Sequence, residues 1–493
     1  MSTKTPLQTV GRRGRLIGVV ALTTAILIAA PVATASATPT YPSDATPPDL
    51  ISLLAGFDHY WTSDGSNDLH GTVNNASVLA YNDKLAVWIN QNATQAEKFK
   101  ALQDNEYQVG NATYDQSLTV STGLGSLLSR VYVTGYNSGA LPLTVALINS
   151  SNGSSGAFVG TSAPKAHYSY PRPFLPANAS GIAFPGDVVG CAASAANSSS
   201  LKAIRVGKSY ADSEGNLDIT RVAPVIDTTH QFSPNDVALD PGYGGTGICL
   251  GGAFPSGHTT TAYQAGITLA TLVPELAPGI LARASENGND RIVLGVHYPL
   301  DIVGGRIDGE AALATRWSDA SYVSGVLEPA RAELLAYFQS QTGHSLSWDI
   351  AHEKAYASNP YGGKRIPGGT AQIVTNRRSA VAVYTQRETY GFAKSGTKGL
   401  APSVPTGAEN LLLTTFPSLT DAQRTSVLAK TEIASGYPLD QSGTAAGSWQ
   451  RLNLAAAMSA SVKITANGGV KILSVGGKAK VTRTASSHHN AAL

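Results

Sequence analysis

The sequence predicts a mainly α-helical protein with long loops and a small β-hairpin near its C-terminus. Three observations predict it. Apolar residues recur at helical spacing in several segments between Leu79 and Leu428. Capping residues or first-turn prolines open those segments, and strand-like alternation shows itself at the far end, over Val462–Val475.

Taken in order, residues 1–37 read as a signal peptide. Arg12, Arg13 and Arg15 precede the apolar run Leu16–Ala30, and Ala35-Ser36-Ala37 supplies small residues for cleavage before Thr38. The run is short for a membrane span. Arg15 stands where a twin-arginine signal usually carries an apolar residue, so the general secretory route is expected. Residues 38–50 are rich in Pro, Thr and Ser and read as a mobile lead-in.

A helical domain is expected over 51–345. Helical spacing runs from Leu79 to Leu102, with Thr94 and Glu97 as a capping box. The Gly/Ser/Asn-rich stretch 135–165 reads as loop. Thr259–Val273 is a helical run closed by Pro274, and Pro299–Trp317 and Pro329–Phe338 each place proline in a first turn. Residues 346–455 read as a helical and loop elaboration packed on that domain; Thr420 and Gln423 cap a helix there that carries Val427 and Leu428. Over 456–482, Val462–Thr465 alternates, Asn467-Gly468-Gly469 turns and Val470–Val475 continues, which is a hairpin pattern. Residues 483–493, the tail after Thr482, are expected to be disordered. No fixed-period repeat is present.

The bulk numbers bound the function. The chain has 493 residues, 42% hydrophobic and 14% charged, enough apolar material for a sizeable core. Residues 1–37 hold Lys4, Arg12, Arg13 and Arg15 and no acid, so removing them takes the formal charge from +2 to −2. A near-neutral mature chain argues against nucleic acid as a partner. No later stretch has eighteen uninterrupted apolar residues, so no transmembrane segment is expected in the mature protein. The two cysteines, Cys191 and Cys249, are expected to form a disulfide in an oxidising compartment, two buried thiols being the alternative. Neither has a nearby Cys or His partner for zinc.

Three short stretches carry chemistry. They are Lys165-Ala-His-Tyr-Ser-Tyr-Pro-Arg172-Pro173, then Pro255-Ser256-Gly257-His258, then Arg291-Ile-Val-Leu-Gly-Val-His297-Tyr-Pro-Leu-Asp301. Lys165, Arg172 and Arg291 are the groups that clamp a phosphate, Arg by its planar fork and Lys as a point charge. Ser256 and Gly257 precede a helix, where free amides and the helix dipole attract anions. His297 and Asp301 are four apart and share a face in a helical turn. The carboxylate can then hold one imidazole nitrogen and leave the other free to attack. His258 can protonate the departing oxygen. Alone, each element is an ordinary turn, surface cation or helical pair; their joint occurrence in this order points to one site.

The pattern K-x6-RP, PSGH, R-x5-H-x3-D resembles the type 2 phosphatidic acid phosphatase (PAP2) superfamily, which includes bacterial class A acid phosphatases, lipid phosphatases and vanadium haloperoxidases. The match covers about residues 165–301. The resemblance implies a helical bundle of that type with the phosphate pocket at its end. It implies a secreted, metal-independent acid phosphatase for small phosphate esters, in which Lys165, Arg172, Arg291, Ser256 and Gly257 bind phosphate. His297 is then the nucleophile, His258 the general acid and Asp301 the orienting carboxylate. No cofactor is implied. The alternative is a haloperoxidase holding vanadate in the same pocket; a lipid phosphatase and a non-catalytic exported binding protein stand further off. Two departures stand out. Asp290 occupies the position before Arg291 where the family usually has Ser, and is expected to turn outward or pair with a cation. The 81 residues 174–254 form a long insert holding both cysteines, suited to a lid or substrate wall.

Other features are bland. Gly242–Gly252 lacks a P-loop ending, His352-Glu353 lacks a second zinc-helix histidine, His167 reads as structural, and His488-His489 belongs to the tail.

Overall fold

The computed structural model describes residues 40–107, 115–150, 152–155, 158–173, 198–249, 251–444 and 447–484. The expected signal peptide, Cys191 with its expected bond to Cys249, and the tail beyond Thr484 lie outside the described residues.

The helical spacing over Leu79–Leu102 belongs to two helices, α1 (Ala76–Asn92) and α2 (Gln95–Glu106). The chain turns extended at Ala93, and the Thr94 hydroxyl accepts from the Glu97 amide at 3.1 Å. Only this half of the expected capping box forms, because the buried Glu97 carboxylate turns instead to Lys100 at 3.0 Å. The stretch 135–165 is not simply loop. α3 (Ser126–Asn137) ends in it, α4 (Pro142–Asn149) lies within it, and α5 (Ser162–Tyr168) begins in it. Pro142 fits the first turn of α4, and buried Leu147 and Ile148 supply the core anchor that a Gly/Ser/Asn count overlooks.

The expected helices appear as α6 (Gly257–Leu272), α8 (Pro299–Trp317) and α9 (Glu328–Thr342), and between the first two lies α7 (Ala277–Val293), which no sequence pattern singled out. Beyond them lie α10 (Arg377–Thr389) and α11 (Asp421–Thr431). The Thr420–Gln423 box opening α11 is complete, with Thr420 Oγ1 accepting from the Gln423 amide at 3.3 Å and the Gln423 side chain accepting from the Thr420 amide at 3.2 Å.

Strands are minor. β1 (Trp61–Ser63) pairs with β2 (Gly71–Val73), and β3 (Val225–Asp227) with β4 (Val237–Leu239), both antiparallel. The C-terminal hairpin is β5 (Ser461–Ile464) and β6 (Val470–Ser474), with Ile464 opposite Val470. A third strand, β7 (Lys480–Arg483), runs parallel along the other edge of β5. Ordered structure therefore passes Thr482: Arg483 is paired and the Thr484 amide bonds to the Ile464 carbonyl at 2.9 Å.

From Thr40 onward the described residues form one compact unit around α6, α7 and α8, in which nearly every residue from Phe254 to Ala314 is buried. Small residues set the spacing. A Cβ on Gly266 would come within 2.5 Å of the Ala284 Cβ, and one on Gly305 within 2.6 Å of the Ser256 carbonyl. Backbones this close lock the start of α6 to the start of α8, which carry the second and third motifs. Buried Ile267, Leu269 and Leu281 fill the seams, each contributing about 1.5–3 kcal/mol by leaving water. α2 and α10 also pack on α7.

The lead-in, as far as it is described, is packed onto the rest of the chain. Residues Pro42–Ala45 form a 3-10 turn whose Ser43 is buried, with its amide on Asp319 at 2.9 Å and its hydroxyl on Arg316 at 2.9 Å. Pro/Thr/Ser content gives no warning of such specific partners. Among the described residues no single helix is long and apolar enough to cross a membrane; α6 and the stretch through α7 pass by composition only as a pair bent by 117°.

Candidate active site

The three motifs meet at one cavity of about 490 Å³, lined among others by Lys165, Arg172, Gly257, His258, Arg291 and His297. Each arrives on a different element. Lys165 lies on α5, Arg172 on the extended stretch after it, His258 in the first turn of α6, Arg291 in the last turn of α7, and His297 in the turn joining α7 to α8.

That turn is built around Gly295, whose φ of +73° only glycine adopts readily. Tyr298 is the N-cap of α8 and Asp301 its third residue. Asp301 therefore does what a capping carboxylate does: Oδ2 accepts from the Tyr298 amide at 2.8 Å. The same oxygen faces His297 Nδ1 at 3.0 Å. The i, i+4 spacing brings the pair together as expected, but His297 precedes the helix rather than lying on it.

The other imidazole nitrogen, Nε2, lies 2.8 Å from Arg172 Nη1. A guanidinium can only donate, so Nε2 must present its lone pair, and the ring proton is on Nδ1 facing Asp301. The arrangement is that of an oriented nucleophile whose lone pair points into a cationic pocket. Arg172 is itself held by the Val296 carbonyl at 2.9 Å and the Gly251 carbonyl at 3.3 Å. Lys165 Nζ donates to the Gly252 and Ala253 carbonyls at 2.9 and 3.2 Å. Arg291 Nη1 bonds to the Asn105 side-chain oxygen at the end of α2.

Ser256 serves differently from the expected phosphate donor. Its amide is taken by the Asp301 carbonyl at 3.0 Å, and its fully buried hydroxyl caps α6, accepting from the Thr259 hydroxyl at 2.8 Å and the Thr259 amide at 3.3 Å. It ties the second motif to the third. Gly257 and His258 line the cavity, where the first turn of α6 offers its dipole to an anion. A Cβ on Gly257 would lie 2.8 Å from Thr161 Oγ1 and 3.9 Å from Lys165 Cε, so only glycine leaves this passage open.

Electrostatically the pocket holds an excess of positive charge. Burial, then neighbouring Arg172, pushes the Lys165 amine well below its ordinary range. Burial likewise pushes Arg172 down to about 10 and Arg291 to about 9, values at which both are still charged in acid or neutral solution. His258 and His297 are both held well below the usual imidazole range, by burial first and then by these cations. Burial raises the Asp301 carboxyl to about 7, against the opposing pull of the Tyr298 amide, Lys165 and Arg172. An empty pocket thus favours neutral imidazoles, and an anion placed among the three cations reverses that preference.

Asp290 departs from expectation: it neither turns outward nor pairs with a cation. It is fully buried on α7, with Glu97 and Asp104 as its carboxyl neighbours. Burial, followed by Glu97, Asp104 and Glu286, drives its carboxyl well above the ordinary range, which disfavours its charged form. Sequence reasoning missed Asn105, Thr161, Ile248, Thr260 and Thr261 at or beside the cavity. Thr161 alone carried a signal, being one turn before Lys165. Ile248 shows that the long insert does contribute a wall; residues 174–197 of it lie outside the described residues.

Comparison with known proteins gives a consistent result. Residues 140–323 match the PAP2 superfamily. An acid phosphatase of Zymomonas mobilis is 38% identical over 88 residues, 18% of this chain and 33% of that protein. A non-specific acid phosphatase of Providencia stuartii is 34% identical over 71 residues, 14% of this chain and 29% of that protein. The aligned parts thus span about a third of the length of these relatives.

Proposed function

We propose that this chain, whose residues 140–323 belong to the PAP2 superfamily, is an exported phosphatase that hydrolyses small phosphomonoesters through a phosphohistidine. The observation that carries the reading is the Asp301–His297–Arg172 line, with contacts of 3.0 and 2.8 Å, which aims the Nε2 lone pair into the three-cation pocket.

The phosphoryl oxygens displace Arg172 from Nε2 and take up Lys165, Arg172, Arg291 and the first turn of α6. His297 Nε2 then attacks phosphorus in line, and the ester P–O bond breaks. His258 gives its proton to the leaving alkoxide. Water, losing a proton to His258, next attacks the phosphohistidine, releasing phosphate and restoring both histidines. Charge stabilisation comes from the cations and from positioning, so the reading is metal-independent. Burial and the neighbouring cations disfavour a proton on His258, so its acid role requires the substrate's own charge to hold the proton there.

Rapid acid quench during turnover of a nitrophenyl phosphate, followed by peptide mapping, tests this. Phosphoryl on His297 after dialysis against chelator is expected. Phosphoryl on His258, activity restored only by a divalent metal, or bromide oxidation with peroxide and vanadate in place of ester hydrolysis would each overturn it. Export rests on residues 1–37, and a mature N-terminus at Thr38 in the culture fluid is the expected sign.

A further inference from the structure

Behind the phosphate pocket, α2 and α7 meet through charged side chains spaced alike on both helices: Glu97, Lys100 and Asp104 on α2, and Arg283, Glu286 and Asp290 on α7. Lys100 Nζ bridges Glu97 at 3.0 Å and Glu286 at 3.1 Å. Arg283 forks onto Asp104, with Nη1 at 2.9 Å from Oδ2, and reaches Glu286 at 3.9 Å. Glu286 also accepts from Tyr356 and Ser358. Arg387 of α10 adds a third cation above the Ala282 carbonyl and the Ser285 hydroxyl.

Three cations therefore face four carboxyl groups, and Asp290 is the one without a cation contact. Both its oxygens, and Glu97 Oε1, find no hydrogen-bond donor although all are buried. The Asp290 carboxyl lies within hydrogen-bond reach of both Glu97 and Asp104. Both Asp104 oxygens are already held by Arg283, which leaves Glu97 as the carboxyl with an unfilled oxygen. Two carboxyls without a donor between them are satisfied only when one carries a proton and donates it to the other.

We propose that Asp290 is a carboxylic acid sharing one proton with Glu97, and that this O–H···O link holds α2 on α7 so that Asn105 meets Arg291. Asp290 is thus a positioning residue for the phosphate clamp, and this role rests on the reading of Arg291 given above. The charged and titratable groups around it are Glu97, Lys100 and Asp104 from α2, Glu286, Arg283 and Arg291 from α7, and Arg387 and Tyr390 at the end of α10. The sign is fixed by the direction of the shift. The folded chain keeps a proton that the unfolded chain loses in the ordinary carboxylate range, so the link is complete in acid and is lost as pH rises through the raised value.

Infrared titration of the whole protein tests the proposal without turnover, alongside the affinity for inorganic phosphate measured by calorimetry. The wild type is expected to show a protonated carboxyl band at neutral pH that Asp290→Asn lacks. Asn keeps the shape and needs no shared proton. Its phosphate affinity in acid should stay within about threefold of wild type, and its additional loss in alkali should be about tenfold smaller. If Asp290→Asn does not fold, Glu97→Gln carries the same two readouts. A wild type without the band at neutral pH, or a variant as weak in acid as in alkali, would overturn the proposal. A protein with the band and with phosphate binding, but no ester hydrolysis, would sink the phosphatase reading and leave the proton-sharing pair standing.

Discussion

Arg283 and Arg291 sit eight residues apart on one helix, both fully buried, and their surroundings differ in one respect. Arg283 has the Asp104 carboxylate in its fork, which raises its hold on the proton. Arg291 has the neutral Asn105 oxygen, and burial with Arg172 nearby weakens that hold. The same side chain is structural where its charge is matched inside the protein and receptive where it is not. The middle of α7 is an ionic lock; its end lines a cavity with Lys165 and Arg172, where the proposed phosphate ligand would supply the counter-charge.

The sharpest way to break this contrast is to remove His297, the nucleophile of the proposed mechanism. His297→Ala should lower turnover of a nitrophenyl phosphate by about a thousandfold or more while leaving unfolding by urea nearly unchanged. Arg283→Met should act mainly on stability. Leaving Asp104 buried without its partner should cost about 3–5 kcal/mol, read by urea unfolding. His258→Ala should separate esters by leaving group, losing about ten- to a hundredfold more on an alkyl phosphate than on nitrophenyl phosphate. The smallest effect is a proton count. Because burial and cations hold His258 and Lys165 low in the empty pocket, an anion raises both, so phosphate binding near neutral pH should take up as much as about one proton. Calorimetry in buffers of different ionisation enthalpy reads it, and proton release instead would contradict the unbalanced charge.

Much of the site was legible in the sequence because its residues sit at short fixed spacings: Lys165 to Arg172, Pro255 to His258, and Arg291 to Asp301 all land on one cavity. α6, α8 and α9 were legible because proline and helical spacing mark their ends, and Pro299–Trp317 appears with the expected ends, whereas α7 has no side-chain cap to announce it. What escaped depends on partners far along the chain. Nothing local tells that Ser256 will spend its amide on Asp301, that Asn105 will reach Arg291, or that Asp290 will turn to Glu97. β7 escaped because Lys480–Arg483 alternates too briefly to read as a strand without β5 beside it. α4 was hidden by the glycines and serines that follow it.

On the proposed mechanism, the 2.8 Å contact between Arg172 and His297 Nε2 stands where a phosphate oxygen would have to enter. Any electrophile that reaches Nε2, whether an ester or a histidine-modifying reagent, must first unseat a donor already in position. The imidazole is therefore shielded until a group arrives that offers Arg172 something better to hold. A phosphate oxygen does so and an uncharged acylating agent does not. On the proposed mechanism, His297 would be selective before any contact with the rest of the substrate, because the guanidinium that guards it would also be the one that recognises the charge.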